Sequence, residues 1–180
     1  ILAKHSCNIV ESKQFTDQQN GRFFIRQSFT LFNDEILNKL EDDLIILSKD
    51  LNAEFFLSDI QSSMNTIMLV SKFDHCLNDL LYRVRNNSLN LNIKAIVSNH
   101  RIAEEIANFS NIPFYYIPID KSNKEEQELK IKNLIIKNQI EMIVLARYMQ
   151  VLSEEFTKEF EGKIINIHHS FLPSFKGAKP

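Results

Sequence analysis

The chain has 180 residues, a formal net charge of −2 and 44% hydrophobic side chains. This length and composition predict one ordinary domain or two small ones with real cores, and the charge favours neither nucleic acid nor an anionic membrane surface as a partner. No apolar run is long enough to span a bilayer, and two distant cysteines, Cys7 and Cys76, predict free thiols in a reducing cytoplasm.

The first third of the chain has the pattern of a small α+β module. Asn20 and Gly21 predict a hairpin turn, because glycine readily adopts the positive φ of a tight turn, and Asn33 and Asp34 predict a helix N-cap. The order αββαβ lacks one strand of the ferredoxin-like order βαββαβ, although another small α+β module would match the pattern equally well. The predicted elements are the end of a helix at 1–6, strands at 8–16 and 22–32, a helix at 35–48 and a closing strand at 52–58.

A short polar stretch at residues 59–65 predicts a domain boundary. Strands then alternate with helices, which is typical of a parallel, doubly wound sheet, and a capping box is predicted at Ser122. The predicted strands are 66–71, 91–98, 113–117, 141–146 and 163–168, and the predicted helices are 73–85, 101–109, 122–138 and 153–160.

The isoleucine-rich strand at 163–168 is predicted to be buried and to end in polar residues. Because side chains alternate along a strand, Asn166 and His168 point to the same side. An amide and an imidazole at the carboxyl end of a buried strand indicate an α/β active site, although a structural histidine and a turn-forming asparagine would also fit. His168 and His169 do not favour a metal, because neighbours face opposite sides and no Cys, Asp or Glu lies nearby at ligand spacing.

The run Asn-Ile-His-His-Ser-Phe-Leu-Pro at residues 166–173 resembles the Asn-Ile-His-Pro-Ser-Leu-Leu-Pro signature of the folate-dependent formyltransferase family. Residues 144–153 are similar to the folate-pocket strand and turn of that family. His169 in place of the usual proline, together with residues 177–180, is most similar to a hydrolytic branch of the family. The resemblance covers roughly residues 65–180 and implies a doubly wound α/β catalytic domain whose C-terminal part is missing.

The resemblance implies hydrolysis of 10-formyltetrahydrofolate to tetrahydrofolate and formate for purine synthesis, with the folate as substrate and no cofactor. It implies catalytic roles for Asn166 and His168, and a third, acidic catalytic residue beyond position 180, so the 180-residue chain is expected to be weakly active or inactive. The implied folate-binding residues are Met149, Gln150, Val151 and Leu152, and the implied pocket rim is Phe73, His75, Asn99, His100, His169 and Ser170.

Residues 1–60 resemble the regulatory ACT domain, without its first strand. This resemblance implies a small amino-acid effector such as glycine or methionine. Because effectors of such domains commonly bind where two copies pair, it also implies a homo-oligomer.

The turn at residues 71–75 contains no glycine. A phosphate-binding turn at this position is glycine-rich so that backbone N–H groups can approach the phosphate, as in the related transferase that formylates glycinamide ribonucleotide. Phe73 and His75 would narrow that space, which favours water over a phosphorylated acceptor, although both residues also suit a simple helix start. The alternatives are a formyltransferase with a small amine acceptor and a non-catalytic sensor of folate or amino acids.

Overall fold

The computed structural model describes residues 1–33, 36–120 and 122–166. The chain forms two compact units, Ile1–Asp59 and Ile60–Pro180. Among the helices in the described ranges, none is long and apolar enough to cross a membrane.

The first unit contains an antiparallel hairpin and one α-helix. Gly21 has a φ of +70°, and its N–H donates to the carbonyl oxygen of Asp17 at 2.9 Å. A side chain with a Cβ atom is strained at this φ, so the predicted hairpin and the need for its glycine are confirmed. The elements are a 3-10 helix at Leu2–His5, strand β1 at Asn8–Asp17, strand β2 at Arg22–Thr30 and helix α1 at Leu37–Asp50.

One prediction for the first unit is wrong, and a second, the helix cap at Asn33 and Asp34, lies partly outside the described residues. Residues 53–58 have no regular secondary structure, and Phe56 is 95% exposed, so the closing strand is not formed. A strand requires a neighbour for its backbone hydrogen bonds, and the described sheet of this unit consists of β1 and β2. Helix α1 has Ile36 as its N-cap with no side-chain cap bond, and Asp34 lies outside the described residues.

The second unit is built on a five-stranded sheet. All neighbouring strands in it pair in parallel, in the order β5-β4-β3-β6-β7, which confirms the predicted parallel sheet. The strands are β3 at Met64–Val70, β4 at Leu91–Ser98, β5 at Phe114–Tyr116, β6 at Met142–Ala146 and β7 at Ile164–Asn166. The helices are α2 at His75–Arg85, α3 at Glu104–Phe109, α4 at Lys124–Lys137 and α5 at Glu154–Glu159.

Helices cover both faces of this sheet. Ile67 and Leu69 of β3 belong to a core that includes side chains of α4 and α5. The alternate residues Met68 and Val70 belong to a second core that includes side chains of α2 and α3. Because successive side chains of a strand point to opposite faces, β3 contributes to both cores, as expected for a doubly wound sheet.

The strand order reverses at β3. The chain passes from β3 to β4 and β5 on one side, and then returns to place β6 and β7 on the other side. In open parallel sheets, ligands bind outside the carboxyl ends of the strands at such a switch point. The residues that directly follow β3, β4 and β6 are therefore brought to one edge, which we call the carboxyl edge.

Two further predictions for the second unit need correction. Asn123 is the N-cap of α4 without a side-chain cap bond, and the Ser122 hydroxyl donates to Asp120 at 2.6 Å, so the capping box is not formed. Strand β7 was predicted to be buried, yet Ile165 is 52% exposed. The reason is that β7 lies at an edge of the described sheet and pairs there with β6 alone.

The burial of β3 gives a direct stability prediction. Leu69 is fully buried, whereas Leu129 on α4 is 54% exposed. We expect Leu69→Ala to reduce the free energy of unfolding by about 2–5 kcal/mol, because it removes buried methyl groups and leaves a cavity. The matched control Leu129→Ala should cost less than about 0.5 kcal/mol. Urea unfolding followed by circular dichroism measures both, and equal costs would contradict the described core.

Candidate active site

Three strands are joined at the carboxyl edge by the side chain of Ser71. This residue directly follows β3 and is only 2% exposed. Its Oγ accepts a hydrogen bond from the N–H of Met149 at 2.9 Å, in the turn after β6. The same hydroxyl donates to Oδ1 of Asn99, which follows β4, at 2.8 Å. The predicted folate turn and one predicted rim residue are therefore held together by a serine that the sequence analysis did not select.

The turn after β6 carries the four predicted folate-binding residues. Met149 and Val151 are 56% and 79% exposed, so this edge presents apolar surface to solvent. Gln150 is partly exposed, while Leu152 packs against the core that contains α4 and α5. The turn thus places three of the four side chains outward and uses the fourth partly as an anchor.

The far end of this turn is fixed by a buried carboxylate. Glu128 of α4 is 8% exposed and accepts two hydrogen bonds from Ser153, one from its N–H at 2.8 Å and one from its hydroxyl. The Ser153 Oγ also caps α5 by accepting the N–H of Phe156 at 3.1 Å. Burial, together with the nearby charge of Glu128, raises the pKa of the Tyr148 phenol, which stays neutral and packed in the core.

Sequence reasoning missed both anchors of the turn. Glu128 could have been found from its helical spacing, because it lies three and seven residues before Ile131 and Ile135, which are both buried. A carboxylate on the apolar face of a helix requires hydrogen-bond donors. Ser71 gave no such signal, because its partners are distant in the sequence.

Phe73 and Arg147 connect the turns that follow β3 and β6. The guanidinium carbon of Arg147 lies 4.3 Å from the centre of the Phe73 ring, within the range of a cation–π contact. Arg147 has a φ of +60°, a conformation that favours glycine. Phe73 is 49% exposed, and the exposed His75 begins helix α2. The glycine-free turn therefore holds an aromatic ring against the neighbouring turn.

The remaining predicted site residues lie at different places. His100 is exposed and its N–H donates to the Ser98 hydroxyl at 3.0 Å. Asn166 ends β7 and pairs with Leu145 of β6, so it lies on the strand next to the one that leads into the predicted folate turn. The predicted residues His168, His169 and Ser170 lie outside the described residues.

The described part of the carboxyl edge is identified by its strand ends and not by a cluster of metal-binding side chains. No group of three or more His, Cys, Asp or Glu side chains that could hold a metal occurs among the described residues. A cavity of about 850 Å³ lies between α2, α3 and the amino-terminal end of β4, and its lining contains none of the predicted site residues that fall in the described ranges. The candidate site is therefore assigned to the carboxyl ends of the strands and not to this cavity.

The Glu128 anchor can be tested with a matched pair on one helix. Glu128→Gln replaces one of the two accepting oxygens by an NH₂ group, which would face a donor of Ser153. We therefore expect the free energy of unfolding to fall by about 1–3 kcal/mol and amide exchange at Ser153 to become faster. Glu126 forms a surface ion pair with Lys130, and Glu126→Gln should change stability by less than about 1 kcal/mol. Equal effects of the two variants would contradict the anchor.

The conformation of Arg147 gives a second prediction. Both Arg147→Gly and Arg147→Ala remove the contact with Phe73, but only glycine also removes the strain of a positive φ. We expect the glycine variant to be more stable than the alanine variant by about 1 kcal/mol, measured by thermal unfolding. An alanine variant that is at least as stable would show that this conformation is not strained.

Comparisons with known proteins agree with this arrangement. The sequence profile of a family described as formyl transferase matches residues 64–180. A protein named formyltetrahydrofolate deformylase from Corynebacterium sp. (strain P-1) is 39% identical over 181 residues, covering 100% of this chain and 63% of that protein. The chain spans less than two thirds of the length of the curated relatives it matches, for example 61% of a relative of the same name from Bacillus subtilis.

Solved structures show the same relationship. The crystal structure of a formyltetrahydrofolate deformylase from Pseudomonas putida KT2440 has a TM-score of 0.88 and 42% identity, and the match covers 99% of this chain and 64% of that chain. Glycinamide ribonucleotide transformylase 1 from Geobacillus kaustophilus has a TM-score of 0.59 and 26% identity over 65% of this chain and 64% of its own. The resemblance stated from the motifs is thus confirmed, and the chain belongs to the formyl transferase family.

Proposed function

We propose that the protein hydrolyses 10-formyltetrahydrofolate to tetrahydrofolate and formate. The observation that carries this proposal is the Phe73–Arg147 contact, which brings bulky side chains together where a phosphorylated acceptor would need an open, glycine-rich turn. If no acceptor amine binds, water is the remaining nucleophile. The relatives that match the whole chain are named formyltetrahydrofolate deformylase, which supports the same reaction.

The proposed chemistry is addition of water to the formyl carbon bonded to N10. The tetrahedral intermediate carries an oxyanion, which the amide N–H of Asn166 and a protonated His168 would stabilise. The C–N10 bond then breaks, N10 takes a proton, and formate leaves. His168 would exchange protons with water and N10, and an acidic residue beyond position 180 would keep it charged.

The proposed folate site is the turn after β6. Exposed Met149 and Val151 provide apolar surface for a flat heterocycle, and backbone groups of the turn would form hydrogen bonds with its edge. The proposed rim keeps all six predicted residues, which are Phe73, His75, Asn99, His100, His169 and Ser170.

The proposal includes a regulatory role for residues 1–60, which resemble an ACT domain. The effector would be a small amino acid such as glycine or methionine, bound where two copies pair in a homo-oligomer. Phe23, Phe24 and Ile25 of the hairpin are each more than 50% exposed, which supports pairing with another copy. We further propose a cytoplasmic protein whose formate supplies purine synthesis.

The alternative functions have less support. The glycinamide ribonucleotide transformylase matches at 26% identity over 65% of the chain, whereas the deformylase structure matches at 42% over 99%. No observation on the described residues favours a small amine acceptor or a sensor without catalysis.

The test is formate release from 10-formyltetrahydrofolate by the full-length polypeptide, with no amine acceptor present. We expect Asn166→Ala to lower kcat by about 100- to 1000-fold, because it removes one donor to the oxyanion, and His168→Ala to lower it at least as much. The matched control is Asn133→Ala, which changes an exposed asparagine of α4 and should leave turnover unchanged.

Two outcomes would contradict the proposal. Transfer of the formyl group to an added amine, with no formate released in the absence of that amine, would identify a transferase. Folate binding without turnover under either condition would identify a sensor.

A further inference from the structure

The hydroxyl of Ser71 connects the segments after three strands, at a point where the backbone pairing between these strands has ended. The last pairs of the parallel ladders join Val70 to Ser98 of β4 and to Ala146 of β6. One residue later, Ser71 contacts the two segments that follow these strands, through Asn99 and Met149. Its side chain thus extends the connection between three strands beyond the backbone hydrogen bonds.

Both hydrogen bonds of Ser71 run in the same direction, from Met149 through Ser71 to Asn99. The N–H of Met149 can only donate, so the Ser71 oxygen accepts it and the single hydroxyl proton remains for another acceptor. That acceptor is Oδ1 of Asn99 at 2.8 Å. We call the N–H of Met149, the Ser71 hydroxyl and the Asn99 carboxamide the Ser71 relay.

The direction of the Ser71 relay fixes the orientation of the Asn99 side chain. The Oδ1 atom of Asn99 accepts the hydrogen bond from Ser71. The Nδ2 group, with its two hydrogens, lies on the other side of the same planar carboxamide. Asn99 is partly exposed at the carboxyl edge, whereas Ser71 is buried. The relay therefore leaves the Nδ2 donor of Asn99 directed away from Ser71, on a partly exposed residue of the carboxyl edge.

The buried position of Ser71 makes the relay sensitive to substitution. With alanine at this position, the Met149 N–H would lose its acceptor and Asn99 would lose the donor that sets its orientation. Threonine keeps the hydroxyl. Aspartate at position 99 keeps an acceptor for Ser71 but has no Nδ2 hydrogens, so it separates the two functions of the relay.

We propose that Ser71 is a positioning residue for the folate substrate. Through Met149 it holds the turn that contacts the folate, and through Asn99 it orients a carboxamide that donates to a carbonyl oxygen of the bound folate. This inference rests on the proposed folate binding at the same edge, and it adds the residues that set the shape and polarity of that site.

The test uses the full-length polypeptide and three measurements: formate release, calorimetric binding of tetrahydrofolate, and amide exchange at Met149. We expect Ser71→Ala to raise KM and the Kd of tetrahydrofolate about tenfold, to change kcat less than about threefold and to speed exchange at Met149. Ser71→Thr should restore most of the affinity. The matched control Ser88→Ala changes an exposed serine and should leave all three values unchanged.

Asn99→Asp tests the second half of the relay. We expect exchange at Met149 to stay as in the wild type, because the carboxylate still accepts from Ser71, while the Kd of tetrahydrofolate rises about tenfold. Wild-type affinity in Asn99→Asp would overturn the role of the donor. Unchanged KM and exchange in Ser71→Ala would overturn the relay as a whole.

The two proposals fail in different ways. A wild-type protein that binds tetrahydrofolate but releases no formate would overturn the proposed hydrolysis, while the binding and exchange measurements would still decide the relay. Normal formate release with an unaffected Ser71→Ala variant would overturn the relay and leave the hydrolysis standing.

Discussion

The second unit depends on the parallel pairing of β3 with strands on both of its sides. Residues 66–70 are fully buried, because β4 and β6 flank the strand and helices cover both faces of the sheet. Every chain segment that leaves the carboxyl ends of these strands must therefore emerge at one edge. The position of the candidate site follows from this pairing, and the polar residues beyond the strand ends only refine it.

The turn after β6 shows how polar residues fix a segment that lies beyond a strand end. Its exposed apolar side chains, Met149 and Val151, gain little from packing within the described residues, so they cannot hold the turn in place. Polar contacts do so instead, from Ser71 at one end and from Glu128 through Ser153 at the other. Both anchors are buried, where water competes weakly for hydrogen bonds. Because buried hydrogen bonds hold both of its ends, the turn can keep its apolar side chains exposed for a ligand and does not collapse onto the core.

Much of the second unit could be predicted from the sequence, because its strands and helices follow from local apolar patterns. The anchors could not, since Ser71 and Met149 are 78 residues apart and Glu128 and Ser153 are 25 residues apart. The predicted strand at 52–58 shows the opposite error, because a local pattern cannot say whether a partner strand is present. Asn166 and His168 were selected mainly through a family motif, and the structure describes only the first of them.

The proposed preference for water over a larger nucleophile is based on the two turns that Phe73 and Arg147 join. A glycine at position 147 would adopt the positive φ without strain, but it would carry no guanidinium to lie over the ring. Arginine at position 147 therefore has a strained backbone conformation, and its side chain forms a contact that links the turns after β3 and β6. A site that transfers a formyl group must leave room for an acceptor as well as the folate. The contact between an aromatic ring and a guanidinium beside the turn after β6 supports the proposed use of water, because water needs no glycine-rich, anion-binding turn at this position.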